Sequence, residues 1–292
     1  MSTYSSVEHF NLNTASFDKM ADFFYTNGFI ILDDALSPDV IARLREDLAK
    51  ADSEEWENRF KENAGRVRRH QKENRHIVHK RFFEKSSTVV DIIENSALMS
   101  FAEYLVKDVP NTFPDNPSLK THVIHNNAFI VPPKGRGQAP SWHVDDPLQQ
   151  VIVPRNTKLP NNIRLPFLAG TFMIWLSDCT TPENGPTFVV PQSHRFGSLI
   201  DKAYADKNGI PACGKAGTAV LINCNVWHRG AENKSNVARE TLQISVGRRM
   251  IGHKHGSIMD YQMPSHVYKD RDEKFNQRLK ERLGYLEGGA YS

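Results

Sequence analysis

The segment THVIHNNAFIV, from Thr121 to Val131, is the first of five short stretches that are rich in β-branched and aromatic residues. Such residues favour strands, and the stretches are separated by turns that contain Pro, Gly and Asn. Short strands at this spacing predict an antiparallel sandwich or barrel. The five predicted strands are Thr121–Val131, Phe167–Trp175, Thr187–Val190, Thr218–Ile222 and Glu240–Val246.

Helical patterns precede this β-rich part of the chain. Apolar residues recur at helical spacing over residues 17–24, and Gly28 provides a C-terminal stop. The apolar run Phe29–Leu32 then predicts a short buried strand. Ser37-Pro38 predicts the N-cap and first turn of a second helix, and helical spacing returns over Val89–Val106.

These patterns predict one domain that is mainly β with flanking helices. A helical N-terminal part at residues 1–119 precedes a β core at residues 120–250. A C-terminal helix at residues 270–287 is predicted from apolar positions at helical spacing. No stretch of the sequence has the composition of a linker, so we expect the three parts to fold together.

Composition and charge restrict the class of protein. Hydrophobic residues make up 39% and charged residues 24% of the 292 residues, which is typical of a soluble globular protein. The net charge of +3 is too balanced to favour nucleic acid as a partner. No apolar run approaches the roughly 18 residues of a membrane span, and residues 1–13 lack a signal-peptide core. Three cysteines without a CxxC motif fit a reducing compartment, so we expect a cytoplasmic protein.

The motif His143-Val144-Asp145 is the main candidate for a metal site. Residues i and i+2 of a strand point to the same side, so His143 and Asp145 would present an imidazole and a carboxylate together. His228, which follows a later β-rich stretch, is the candidate third ligand. Two imidazoles and one carboxylate on one face of Fe(II) leave the opposite positions open, as in the non-haem Fe(II) oxygenases.

Arg239 extends this prediction to a co-substrate. It lies eleven residues after His228, and its guanidinium suits a dicarboxylate. The set therefore predicts an enzyme that activates O2 and consumes 2-oxoglutarate. A hydrolytic zinc site with the same three ligands stays open, with Asp146 as its nominal base. A second histidine pair, at residues 253 and 255, has the same spacing but no carboxylate partner.

Several longer motifs resemble the phytanoyl-CoA dioxygenase family. Each motif is only moderately specific, but their order and spacing over more than 200 residues are much more so. The similar segments are Phe24–Leu32, Leu36–Pro38, Trp142–Asp145, Gly170–Asp178, Asn184–Thr187, Pro191–Arg195, Gly217–Ile222, Trp227–Gly230, Asn233–Ser235 and Arg239.

The resemblance implies a fold, a set of reactants and further site residues. The fold would be a double-stranded β-helix, that is, a cupin-like jelly roll. The reactants would be Fe(II), 2-oxoglutarate and O2, with succinate and CO2 as by-products. Arg239 would hold the far carboxylate of 2-oxoglutarate, Asn127 would touch its 1-carboxylate, and Thr171 would offer a pocket hydroxyl.

One position departs from the family pattern. Some relatives carry a hydroxyl residue two positions after the distal histidine, where this chain has Gly230. Thr241, two residues after Arg239, is a candidate substitute on the same strand face. Some halogenases of this fold have a small residue at the carboxylate position, so the presence of Asp145 argues against halogenation.

The expected reaction is oxidation of an unactivated C–H bond in a small organic metabolite, in natural-product biosynthesis. Hydroxylation, desaturation, epoxidation, cyclisation and demethylation all stay open. The alternatives are a jelly-roll metalloenzyme of other chemistry, such as a cupin-type isomerase or hydrolase, and a binding protein without catalysis. Basic residues in the loop 146–166 allow an anionic or polar substrate, or a merely solvated surface. The oligomeric state, a homodimer included, is left open.

Overall fold

The computed structural model describes residues 7–62, 76–109, 120–145, 153–197, 199–249, 251 and 273–283. Ten strands and six α-helices are distinguished within these ranges. The strands are β1 (His9–Asn11), β2 (Phe29–Asp33), β3 (Ile77–Lys80), β4 (Thr121–Val131), β5 (Ala169–Trp175), β6 (Thr187–Val189), β7 (Ile210–Pro211), β8 (Ala219–Asn223), β9 (His228–Gly230) and β10 (Arg239–Arg248). The helices are α1 (Phe17–Asn27), α2 (Pro38–Glu62), α3 (Ser87–Glu94), α4 (Ala97–Lys107), α5 (Lys202–Asn208) and α6 (Glu273–Arg282).

The strands form one large and one small sheet. The large sheet has the order β1-β2-β8-β5-β10-β4-β3, and the small sheet has the order β7-β6-β9. All neighbours are antiparallel except β1 and β2. The five predicted strands of the core, and the predicted strand Phe29–Leu32, all form at the expected places. The short strands β1, β3, β7 and β9 were not predicted, because strands of two to four residues carry too little pattern.

The large sheet packs one apolar face against the helices, and its opposite face is apolar along β2 and β8 but polar along β10. In β10, Leu242, Ile244 and Val246 point to the core that also contains the buried residues of α1, α3 and α4. Thr241 and Gln243 alternate with them and face a cleft instead. Because of this alternation, the strand that packs against the core also presents polar side chains to the cleft.

Hydroxyl caps and a crowded glycine fix the helix ends. Ser16 Oγ accepts from the Lys19 N–H at the start of α1, and Gly28 ends the helix at φ 79°. A Cβ at Gly28 would lie 2.4 Å from His194 Nδ1, so both the backbone angle and the space require glycine. The predicted helical run Val89–Val106 is divided into α3 and α4, because Ser96 starts a new helix by accepting from the Met99 N–H.

The C-terminal prediction is only partly covered. Helix α6 spans Glu273–Arg282, within the predicted range 270–287, whose outer residues lie outside the described ranges. The prediction of a single domain stays a prediction. Across the described residues, every helix falls short of the length or the apolarity that crossing a membrane requires.

Candidate metal centre

His143 and His228 lie side by side because their backbones pair. An isolated antiparallel bridge joins them, and each N–H donates to the carbonyl of the other at 2.9 Å. The centroids of the two imidazole rings are 4.2 Å apart. His228 begins β9, which pairs with β6 through Val189, so the bridge extends the small sheet by one more partner.

Asp145 completes a compact group of three. Its N–H donates to the Cys224 carbonyl at 3.2 Å, which anchors the residue beside the bridge. Asp145 Oδ1 lies 3.5 Å from His228 Nε2 and 3.8 Å from His143 Nε2. One donor atom from each of the three residues lies within 4.8 Å of the other two. This spacing and this donor set could hold a divalent metal ion.

Both imidazoles are oriented by the backbone. His143 Nδ1 lies 2.9 Å from the Ser141 carbonyl, and His228 Nδ1 lies 2.9 Å from the Val226 carbonyl. A carbonyl can only accept, so each Nδ1 carries the proton. Each Nε2 lone pair is then left for the metal, as is usual for histidine ligands.

The charges of the group fit a cation. Burial lowers the pKa of His143, and the neighbouring His228 lowers it further. Burial also disfavours a charged His228, but the Asp145 carboxylate outweighs this effect and raises the His228 pKa above its usual value. A metal ion at this place therefore competes with a proton that His228 shares with Asp145.

A cleft of about 560 Å³, counting the part open to solvent, contains all three residues. Its floor is the face of the large sheet that lies away from the helices. This floor contains Thr171 and Met173 from β5 and Arg239, Thr241 and Gln243 from β10. The lining combines apolar surface with a few polar side chains, as is usual for sites that bind small organic molecules.

Arg239 is buried in this cleft with unused donors. Its side chain is 5% exposed, and its Nε and Nη1 have no hydrogen-bond partner in the part of the chain that the structure describes. Burial lowers the pKa of Arg239, although arginine stays charged in proteins. The guanidinium lies over the Trp175 ring, 5.9 Å from its centroid. The nearby Thr241 Oγ1 is also buried without a partner among the described residues.

The other two predicted site residues make contacts that indicate supporting roles. Thr171 Oγ1 donates to Asp145 Oδ2 at 3.2 Å and pairs with Ser245 Oγ at 2.9 Å. The Asn127 side chain is 2% exposed and donates from Nδ2 to Gln243 Oε1 at 3.0 Å. Direct contacts of Thr171 and Asn127 with a co-substrate stay predictions.

A family model for phytanoyl-CoA dioxygenase matches residues 24–241, which is most of the chain. The chain belongs to the phytanoyl-CoA dioxygenase family. This membership confirms the family that the motifs predicted.

Solved structures confirm the double-stranded β-helix fold. HygX from Streptomyces hygroscopicus, with nickel, 2-oxoglutarate and hygromycin B bound, has a TM-score of 0.55 at 12% identity over 81% of this chain and 89% of that one. SnoK, a non-haem α-ketoglutarate-dependent carbocyclase from nogalamycin biosynthesis, has a TM-score of 0.56 at 16% identity over 88% of this chain and 95% of that one.

A relative found by sequence matches a smaller part of the chain. An uncharacterised protein of Mycobacterium bovis is 25% identical over 121 residues, 41% of each chain. This chain thus matches less than half of the length of that relative.

The departure at Gly230 has a steric reason. A Cβ at Gly230 would lie 2.1 Å from the Gln138 carbonyl oxygen, because the loop that follows β4 crosses β9 at this point. The hydroxyl residue that some members of the phytanoyl-CoA dioxygenase family carry here does not fit beside this loop. Gln138 and Gly230 both line the cleft.

The cleft residues that the sequence analysis did not name include two glutamines. Gln243 could have been found, because it follows Thr241 by two residues on the same face of a predicted strand. Gln138 could not, because it lies in an irregular loop with no periodic pattern. Asp146 and the histidines at 253 and 255 lie outside the described residues.

Proposed function

We propose that this protein is an Fe(II)/2-oxoglutarate-dependent oxygenase that oxidises a small organic molecule. One observation carries the proposal: a His-Asp-His group able to hold a metal ion shares a cleft with a buried arginine whose donors are unused. Membership of the phytanoyl-CoA dioxygenase family supports the same reaction type.

The residues present fit ferrous iron. Two imidazole nitrogens and one carboxylate are the ligands of the non-haem Fe(II) oxygenases, and they leave positions open for other ligands. His143, Asp145 and His228 would hold the ion. Thr171 would keep the Asp145 carboxylate in place through the contact at 3.2 Å. When bound, iron with 2-oxoglutarate and O2 supplies the oxidising power, with succinate and CO2 as by-products.

The residues also fit a dicarboxylate co-substrate. A buried cation with unpaired donors is costly unless a ligand satisfies it. Arg239 would bind the far carboxylate of 2-oxoglutarate, and each such charge-assisted hydrogen bond contributes about 1.5–3 kcal/mol. The Thr241 hydroxyl, buried beside it on the same strand face, would donate to the same group.

The remaining walls of the cleft would position the substrate and exclude water. Phe129, Met173 and Ile222 supply apolar surface, while Gln138 and Thr187 supply neutral polar groups. We propose a polar natural-product metabolite as the substrate, with a C–H bond as the site of reaction. Support comes from HygX, whose structure contains hygromycin B, and from SnoK of nogalamycin biosynthesis. A cytoplasmic location and a single domain are part of this proposal.

The alternative is a jelly-roll hydrolase or isomerase that uses the same three ligands for zinc or another metal. The unpaired donors of Arg239 favour the oxygenase, because a hydrolase has no need of a buried arginine aimed into its cleft. Dependence of the activity on 2-oxoglutarate separates the two functions.

The test is iron-dependent release of succinate from 2-oxoglutarate. The full chain would be loaded with Fe(II) and screened with polar natural-product scaffolds, and mass spectrometry would count added oxygens or lost hydrogens. We expect His143→Ala to abolish succinate release, and His9→Ala, at a histidine that contacts Asp33 instead, to leave it unchanged. Full turnover by His143→Ala, with the fold intact, would remove the basis of the proposal.

A further inference from the structure

A row of polar side chains runs along the cleft face of β10. Successive members of this row are two residues apart and so lie on one side of the strand: Arg239, Thr241, Gln243 and Ser245. One end of the row is the unpaired Arg239 guanidinium. At the other end, Ser245 contacts Thr171, which in turn donates to Asp145. Gln243 therefore lies between the proposed anchor of the co-substrate and the proposed metal ligands.

A hydrogen bond from Asn127, on the neighbouring strand β4, sets the orientation of the Gln243 amide. Asn127 Nδ2 donates to Gln243 Oε1 at 3.0 Å, across the β4–β10 pair that places these two residues opposite each other. The same Nδ2 lies 3.0 Å from His125 Nε2, so it contacts a second side chain on its own strand. Because Asn127 presents a donor, the oxygen of Gln243 must turn toward it.

The amide nitrogen of Gln243 is consequently available to a ligand. Gln243 lines the cleft, and its Nε2 has no partner in the described ranges of the chain. Asn127 itself is 2% exposed, its Nδ2 contacts Gln243 and His125, and its Oδ1 is buried without a partner among the described residues. A donor that is fixed in direction and faces a cleft suits an acceptor oxygen of a bound ligand.

We infer that Gln243 binds 2-oxoglutarate, by donating from Nε2 to the carboxylate that lies nearer the metal, and that Asn127 is its positioning residue. This inference rests on the proposed function. The family resemblance implied that Asn127 itself contacts the co-substrate. In the present inference Gln243, which lies between Asn127 and the cleft, makes that contact instead. Arg239 and Gln243 would then grip the two carboxylates of one molecule from a single strand.

The experiment measures binding of 2-oxoglutarate to the full chain loaded with Ni(II), by calorimetry and without turnover. We expect Gln243→Ala to raise the dissociation constant about tenfold, the loss of one charge-assisted hydrogen bond. Gln243→Glu should raise it about 100-fold, because an anionic acceptor replaces the donor. Glu240→Gln, the reverse exchange on the opposite face of β10, is the matched control and should bind as the wild type does.

A double-mutant cycle tests the positioning role. Asn127→Ala alone should weaken binding several-fold, and it should have no further effect in the Gln243→Ala background, because Asn127 acts through Gln243. Additive effects would show that Asn127 contributes in another way. If the wild type binds 2-oxoglutarate and both Gln243 variants bind equally well, the inference is wrong. If the Ni(II)-loaded wild type binds no 2-oxoglutarate, the proposed function fails and the inference with it.

Discussion

The two faces of the large sheet differ in how completely their side chains are satisfied. On the helix side, Phe172, Ile174, Leu242 and Ile244 are at most 1% exposed and pack in one continuous apolar core. On the cleft side, Arg239 and Thr241 are also buried, but Arg239 Nε and Nη1 and Thr241 Oγ1 have no partners among the described residues. The helix side uses its residues to stabilise the fold. The cleft side is also apolar at Val220 and Ile222, but along β10 it buries polar groups that a ligand could bind.

The difference indicates which residues lower the stability of the fold in order to bind a ligand. Burying a polar group without a partner lowers stability, and native proteins rarely do so without a reason. Because β10 alternates polar and apolar residues from Thr241 to Val246, the same strand carries both kinds of residue. Adjacent substitutions on β10 should therefore separate stability from ligand binding.

The largest expected effect is on the apolar face. Leu242→Ala should lower the free energy of unfolding by about 2–5 kcal/mol, because Leu242 is fully buried and the change leaves a cavity. Its neighbour Thr241→Ala should change stability little, because the Thr241 hydroxyl has no partner in the described structure. Urea unfolding of the metal-free protein measures both. Equal losses of stability would contradict the division between the faces.

The second-largest expected effect is on the binding of 2-oxoglutarate at the cleft face. Arg239→Met should weaken 2-oxoglutarate binding about 100-fold, through loss of charge-assisted hydrogen bonds. The same change should leave the melting temperature of the metal-free protein equal or higher, because an apolar side chain replaces an unsatisfied buried cation. Calorimetry and thermal unfolding report the two effects separately.

Arg248→Met is the matched control for Arg239→Met. Arg248 lies at the end of the same strand, is 8% exposed, and also has guanidinium nitrogens without partners among the described residues. It is outside the residues that line the cleft, so its loss should leave 2-oxoglutarate binding unchanged. A similar loss of binding in both variants would mean that Arg239 acts through charge alone.

The sequence predicted the large sheet better than the details of the site. Alternation of apolar and polar residues is a local signal, so the segment Thr121–Val131 was predicted with the observed bounds of β4. The convergence of His143 and His228 was expected from residue type and order. That both belong to one backbone bridge was not, because bridges between distant segments leave no local pattern.

The contacts of the amides and hydroxyls could not be derived from the sequence. Alternation placed Asn127 on the correct strand face, but the cross-strand partner Gln243 depends on the register of β4 against β10. Similarly, Gly230 was visible as a departure from the family. The loop backbone that explains it lies about 90 residues earlier in the chain, at Gln138. Such contacts follow from tertiary packing and not from local propensity.

The smallest expected effect concerns Thr171, which lines the cleft but, unlike Thr241, has hydrogen-bond partners for its hydroxyl. Thr171→Val keeps the shape of the side chain but removes the hydroxyl that contacts Asp145 Oδ2 and Ser245 Oγ. We expect the dissociation constant for Ni(II) to rise about tenfold, the lower end of the effect of losing a group that orients a metal ligand. Thr218→Val, which removes a hydroxyl bonded to Asp33 instead, is the control and should leave Ni(II) binding unchanged. Equal metal affinity in the Thr171→Val protein would mean that the backbone contact of Asp145 with the Cys224 carbonyl is enough to hold the carboxylate in place without the Thr171 hydroxyl.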